Sequence, residues 1–137
     1  MKVFLDTNVL VSGFATRGLC SDVIRLVFAE HELITAQVVL EEVQRVLKQK
    51  FNLPKGVIDE ILAFLNDQTV QSKPKTIPSI PIRDDADRWV LASALEAQAD
   101  VLVTGDKDLL DVSDQIPDIL ITDPRGFWNL AKKRAKK

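Results

Sequence analysis

The sequence predicts an α/β fold, an α/β/α sandwich with a central, mainly parallel sheet flanked by helices. Three observations carry this. Short apolar runs recur along the chain at Val3-Phe4-Leu5, Leu33-Ile34, Val101-Leu102-Val103 and Ile119-Leu120-Ile121. Segments of helical period separate them, as alternating βα units require. Within the runs apolar residues do not alternate with polar ones, which fits strands covered on both faces. At 137 residues the chain has the size of one ordinary domain with a single core. No repeat, low-complexity segment or linker divides it, so residues 1–137 are read as a single domain.

Taken in order, Lys2-Val3-Phe4-Leu5 reads as a first buried strand. Ser21 is a suitable N-cap for a helix through about Glu30, with Val23, Ile24, Val27 and Phe28 inward. Leu33-Ile34 reads as a short second strand. A long helix follows from Ala36 to about Lys50. Another starts at Pro54, a residue suited to a first helical turn, and runs to Asn66. Pro74, Pro78 and Pro81 mark Lys73 to Pro81 as a surface loop. A helix spans Ala86 to Ala99, then Val101–Val103 forms a buried strand ending in Thr104-Gly105. Ile119–Ile121 forms the last strand, and Pro124 opens a terminal helix.

The hydrophobic fraction of 46% and charged fraction of 28% are those of a globular protein. No stretch reaches the roughly 20 apolar residues of a membrane span, and Asp6 and Asn8 interrupt the apolar start, so neither a membrane location nor a secretory signal is expected. Cys20 is the single cysteine, which excludes an internal disulfide and a thiolate metal site. A cytoplasmic location is the default expectation. The formal net charge is −2, yet Lys132, Lys133, Arg134, Lys136 and Lys137 crowd the end, leaving the body more acidic than that figure. A solvated basic tail accounts for the asymmetry; so does an acidic body that collects cations.

Several acids fall where such a fold builds sites. Ligands of open α/β sheets bind outside the carboxyl ends of the strands. Asp6 ends the first strand, and Asp106 follows Val103 after the Thr104-Gly105 turn. Each alone is equally an ordinary turn or helix cap; their placement at one sheet edge points to more. On the helix from Ala86, Val90, Leu91, Ala94 and Ala97 form an apolar stripe, and Asp87 falls near its middle. An ionised carboxylate on a buried face is costly unless paired or bound to a metal, although Asp84 and Asp87 also fit an Asp-x-x-Asp capping box. On the helix from Ala36, Val39, Val43, Val46 and Leu47 set the inward direction. Glu41 then points to solvent, and Glu42 lies on the border beside Val46, either reaching the sheet edge or serving as a plain helix former. Acids gathered in one place repel, and all-oxygen ligand sets suit hard cations such as Mg²⁺ or Mn²⁺.

Other chemistries find little to use. His31 is the single histidine, between Glu30 and Glu32 at a helix end, and is read as a surface residue, so triad-type nucleophilic catalysis lacks a base. The five glycines are scattered and build no phosphate loop, and no EF-hand spacing is present.

With these residues in view, the sequence resembles the PIN-domain nucleases. Phe4-Leu5-Asp6-Thr7-Asn8-Val9-Leu10 is similar to their opening motif, and Leu40-Glu41-Glu42-Val43 with Val46-Leu47 to the second acidic motif. Asp84-Asp85-Ala86-Asp87 with Leu91 and Ala94 resembles the third. Val103-Thr104-Gly105-Asp106-Lys107-Asp108-Leu109-Leu110 resembles the fourth, and Ile121-Thr122-Asp123-Pro124 before Phe127 the closing strand and helix start. The motifs occur in order over nearly the whole chain and are closest to the VapC-like branch, the toxin components of bacterial toxin–antitoxin systems. One departure is Asp85-Ala86, where relatives often carry Pro-Asp; it leaves Asp84 as a rival to Asp87.

The resemblance implies an endoribonuclease that hydrolyses RNA phosphodiester bonds with Mg²⁺ or Mn²⁺. Residue by residue it assigns Asp6, Glu42, Asp87 and Asp106 as the catalytic, metal-holding quartet, with Asn8, Thr104 and Asp108 in support. It also implies an antitoxin partner and a homodimer. Arg17, Arg83, Arg88, Lys107 and the tail lysines are candidates to attract the RNA, and Trp89 either marks a contact surface or packs beneath the proline loop. The alternatives are a catalytically inactive interaction module of the same fold, a nuclease acting on DNA, and a phosphoryl-handling domain with Asp6 as nucleophile.

Overall fold

The computed structural model describes residues 1–77, 79 and 82–135. β1 (Lys2–Leu5) leads into α1 (Thr7–Ala15) and α2 (Leu19–Glu30), and β2 (Glu32–Ala36) into α3 (Gln37–Gln49) and α4 (Lys55–Asn66). β3 (Thr69–Gln71) precedes the proline loop and α5 (Asp85–Glu96). β4 (Val101–Val103), the single-turn α6 (Lys107–Leu110), β5 (Leu120–Thr122) and α7 (Pro124–Ala135) follow, with a 3₁₀ turn at Ser113–Gln115. Among the described residues no helix is long and apolar enough to cross a membrane.

The strands lie in the order β3-β2-β1-β4-β5, and every neighbouring pair is parallel. The chain moves outward from β1 to β3 on one side and from β4 to β5 on the other, so its winding reverses between β1 and β4. In open parallel sheets, ligand sites form at such a switch point, beyond the carboxyl ends of the strands. The register sets Leu5 beside Val103, and the Asp6 N–H donates to the Val103 carbonyl at 2.9 Å. The residues that follow these two strands therefore emerge side by side.

The apolar runs are buried for the expected reason. Val3, Phe4 and Leu5 of β1 and Val101, Leu102 and Val103 of β4 are all within the core, which requires helices over both faces of the central strands. α3 buries Val39, Val43 and Leu47, at i, i+4 and i+8 on one stripe. Burial of this kind is worth roughly 1.5–3 kcal/mol for each large aliphatic side chain.

The differences from expectation have local causes. α1 escapes the periodicity argument because its buried residues, Thr7, Val9, Leu10, Val11 and Gly13, leave no clear polar face. α2 begins two residues before Ser21. Gly18, at φ 143°, turns the chain into it, and the Gly18 carbonyl accepts from the Asp22 N–H. α5 stops at Glu96, short of Ala99, because Gln98 takes a left-handed φ of 56°. β3 is a short, half-exposed strand around the single apolar Val70, too little to register as an apolar run. His31 is not a plain surface residue: it is half-buried, its ring meets Phe127 edge-on at 5.9 Å, and its Nδ1 lies 3.3 Å from the Met1 amino group. Pro78 and Pro81 of the loop, and Lys136 and Lys137 of the basic tail, lie outside the described residues.

Candidate metal centre

Four separate segments deliver the acids. Asp6 caps α1 from the end of β1, with its Oδ1 accepting from the Thr7 N–H at 2.7 Å. Asp106 caps α6 beyond β4, with its Oδ1 accepting from the Asp108 N–H at 2.9 Å. Capping is thus real at both positions, and it aims the carboxylates across the β1–β4 switch point. Glu42 comes from the middle of α3 and Asp87 from the first turn of α5. All four line one cavity of ≈ 530 Å³, together with Thr7 and Asn8.

Asp84, the rival to Asp87, is exposed and caps α5, its Oδ1 accepting from the Ala86 N–H at 2.8 Å. Asp87 is only 8% exposed, and its Oδ2 is buried with no hydrogen-bond partner among the described residues. The capping-box alternative therefore accounts for Asp84 and leaves Asp87 unexplained. Among the described residues, Asp87, Asp106 and Asp108 are the tightest acidic group, with carboxylate oxygens within 4.8 Å of one another. Asp6 and Glu42 line the cavity with Asp87 and Asp106 but stand outside that trio. Asp108, an auxiliary acid by sequence, thus lies close to Asp87 and Asp106, and it also pairs with the exposed Arg83 at 3.6 Å.

A polar net fastens Asp6. The Thr104 hydroxyl donates to Asp6 Oδ2 at 2.7 Å and accepts from the Asp106 N–H at 3.0 Å. The Asn8 amide donates to the same Oδ2 at 3.3 Å, while its carbonyl oxygen accepts from the Gly105 N–H at 2.9 Å. Thr104 and Asn8 thus tie the ends of β1 and β4 together and orient one carboxylate, the supporting work expected behind metal ligands. Thr7, whose hydroxyl is buried and unpartnered, was missed by the sequence reasoning, as were Lys50 and Phe51, which line the same cavity. Trp89 is half-buried with the Lys73 ammonium 4.6 Å from its ring centre, so the start of the proline loop covers it.

Crowding shows in the ionisation of the two buried acids. Burial raises Asp6 from 3.8 to about 6, against the Thr104 and Thr7 hydrogen bonds that favour its charge; Glu42 and Asp106 add to the rise. Asp87 is pushed up to about 8, first by burial, then by Asp106, with smaller contributions from Asp84 and Asp6. A divalent cation fits these residues. Its donors would all be carboxylate oxygens, it would offset their repulsion, and the orphaned Asp87 Oδ2 would gain a partner.

A parallel α/β sheet with clustered carboxylates across its switch point defines the class of domain. The family model of the PIN domain matches residues 2–108, and the chain belongs to that family. It is 30% identical over 121 residues to the uncharacterized protein MJ1680 of Methanocaldococcus jannaschii, an alignment covering 84% of this chain and 77% of that one. Among solved structures it is similar to VapBC2 from Rickettsia felis, crystallised with a DNA fragment from its promoter. That match has a TM-score of 0.61 and 17% identity, and covers 90% of this chain and 98% of the other.

Proposed function

We propose that this protein is an endoribonuclease that hydrolyses RNA phosphodiester bonds with Mg²⁺ or Mn²⁺ held by Asp6, Glu42, Asp87 and Asp106. The observation that carries the reading is the meeting of those four acids in one cavity with a buried carboxylate oxygen left unpartnered. When bound there, the cation supplies charge neutralisation for a phosphate and lowers the pKa of a water at the site. The chain's own residues do the rest. Thr104 and Asn8 hold Asp6 in one orientation, and the Thr104 hydroxyl couples it to the Asp106 backbone. Asp108 stands beside Asp87 and Asp106 as a further oxygen donor.

An acidic cavity repels RNA, so cations around it must attract the strand. Lys50 lines the cavity and Arg83 stands beside Asp108; Arg17, Lys107 and the basic tail are further candidates. The physiological role we propose is that of the toxin in a toxin–antitoxin pair. Likeness of fold to VapBC2 supports it, as does the order of the sequence motifs. An antitoxin segment would cover the acidic cleft, and the active form would be a homodimer in the cytoplasm.

The test is direct. Purified protein should cleave RNA with added Mn²⁺, EDTA should stop it, and Asp6→Asn and Asp87→Asn should each be folded and inactive. Wild-type-like cleavage by Asp6→Asn would end the proposal. Parallel assays on DNA separate it from a DNA nuclease, and absence of any metal-dependent cleavage would favour an inactive module.

A further inference from the structure

The cavity lined by the acids is also lined by Val11, Val46, Lys50 and Phe51. Phe51 is 38% exposed and stands outside the hydrophobic core. Exposed though it is, its backbone is pinned. α3 closes with the Lys50 N–H donating to the Val46 carbonyl at 2.8 Å and the Leu53 N–H to the Leu47 carbonyl at 3.1 Å. Between them Asn52 takes a left-handed φ of 50°, a conformation that Asn accepts more readily than most residues. Phe28, the most exposed phenylalanine, differs: its ring leans on Phe64 at 5.0 Å. Phe51 instead lines the cavity that the acids and Lys50 also line.

This arrangement matches the parts of one nucleotide. The acids are suited to a phosphate through a cation, Lys50 to a neighbouring phosphate, and an aromatic face to a base. A base in a duplex has both faces covered by its neighbours, so a stacking ring selects unpaired nucleotides. We propose that Phe51 is a stacking platform for an unpaired base next to the phosphate bound at the acids. The inference rests on the nuclease reading and deepens it by naming a positioning residue.

The experiment measures binding of a fluorescein-labelled single-stranded RNA oligonucleotide, and of its duplex, by fluorescence anisotropy in an Asp87→Asn background that does not turn over. Phe51→Ala should weaken single-strand binding by about 5- to 150-fold, the range for loss of one base stack, and leave duplex binding unchanged. Phe51→Trp should restore affinity, and its indole emission should be quenched on binding beyond the change given by Trp89 and Trp128 in the parent. Lys50→Ala should lower the salt dependence of log Kd by about 0.7, while Phe51→Ala should not change it. Single-strand binding by Phe51→Ala within twofold of the parent, equal loss on both substrates, or a parent that binds no single strand would overturn the inference. Wild-type protein that cleaves RNA with Mn²⁺ while Phe51→Ala keeps its KM would sink this inference alone. A wild type inert in Mn²⁺ but stacking RNA on residue 51 would instead sink the nuclease reading.

Discussion

Asp87→Asn should make the metal-free protein more stable, by an amount that grows with pH. Burial and Asp106 raise the Asp87 carboxyl from 3.8 to about 8. Across that window the folded chain holds a proton that the unfolded chain has released. Because the unfolded state binds fewer protons there, stability falls as pH rises. At ~1.4 kcal/mol per pKa unit the whole displacement corresponds to ~6 kcal/mol. Water entering the cavity screens part of this, so ~2–3 kcal/mol is the gain expected from Asn at pH 8. At pH 4 the gain should nearly vanish. Asn is neutral throughout, close in size, and can donate to the Asp106 carboxylate that Asp87 repels.

The assay is thermal or urea unfolding in EDTA at several pH values from 4 to 8. A gain of ~2–3 kcal/mol should raise Tm by about 6 °C or more in a chain of this length. Added Mn²⁺ should reverse the ranking, since only the wild type retains the full set of acids; at about 1,000 times Kd a bound ion stabilises by ~4.1 kcal/mol, more than the gain from Asn. An Asp87→Asn protein that melts at or below wild type in EDTA at pH 8, with no pH trend, would refute the argument from crowding.

Three further substitutions test the surrounding structure. Thr104→Val removes the hydroxyl that donates to Asp6 and accepts from the Asp106 N–H; it should cost about 1–3 kcal/mol in urea unfolding and weaken Mn²⁺ binding about 10- to 100-fold by calorimetric titration. Gly13→Ala places a methyl group against Ile24 Cδ1 and 2.9 Å from the Cys20 carbonyl oxygen, so it should destabilise the α1–α2 packing by about 1–3 kcal/mol, read as a lower urea midpoint. Asn52→Val forces a β-branched residue into the left-handed φ of 50° and should lower stability by about 1–2 kcal/mol in the same assay.

Much of the fold was legible because burial on both faces leaves a plain trace. β1 and β4 are uninterrupted apolar runs, and α3 repeats valine and leucine at helical spacing. Elements without such a trace were not legible. α1 is buried nearly all round, β3 carries one apolar residue, and α6 is a single turn, too short to show a helical period. The ends of α2 and α5 depended on the backbone angles of Gly18 and Gln98, which hydrophobic spacing does not report. For the site, the burial of Asp87 followed from its place on an apolar stripe, and it is the stronger clue, since Asp6 and Asp106 turned out to be caps as well. Cap and ligand are compatible roles. Asp6 and Asp106 each accept a capping hydrogen bond at Oδ1 and still line the cavity.

The motifs point to Asn8 and Thr104 as supporting residues, but neither motif nor wheel gives the contacts by which the acids are held together. Thr104 and Asp6 are 98 residues apart in sequence, yet share a 2.7 Å hydrogen bond, and nothing about a threonine after a strand announces that partner. The link exists because Leu5 pairs with Val103, so the residues one step further on meet at the same level of the sheet. Parallel pairing ties this to the core: a one-residue slip of β1 against β4 would turn Phe4 away from the layer it fills. It would also carry Asp6 to the opposite face from the acids of α3 and α5. The packing that selects the register is therefore the same packing that assembles the acids, and the core does not have to be paid for twice.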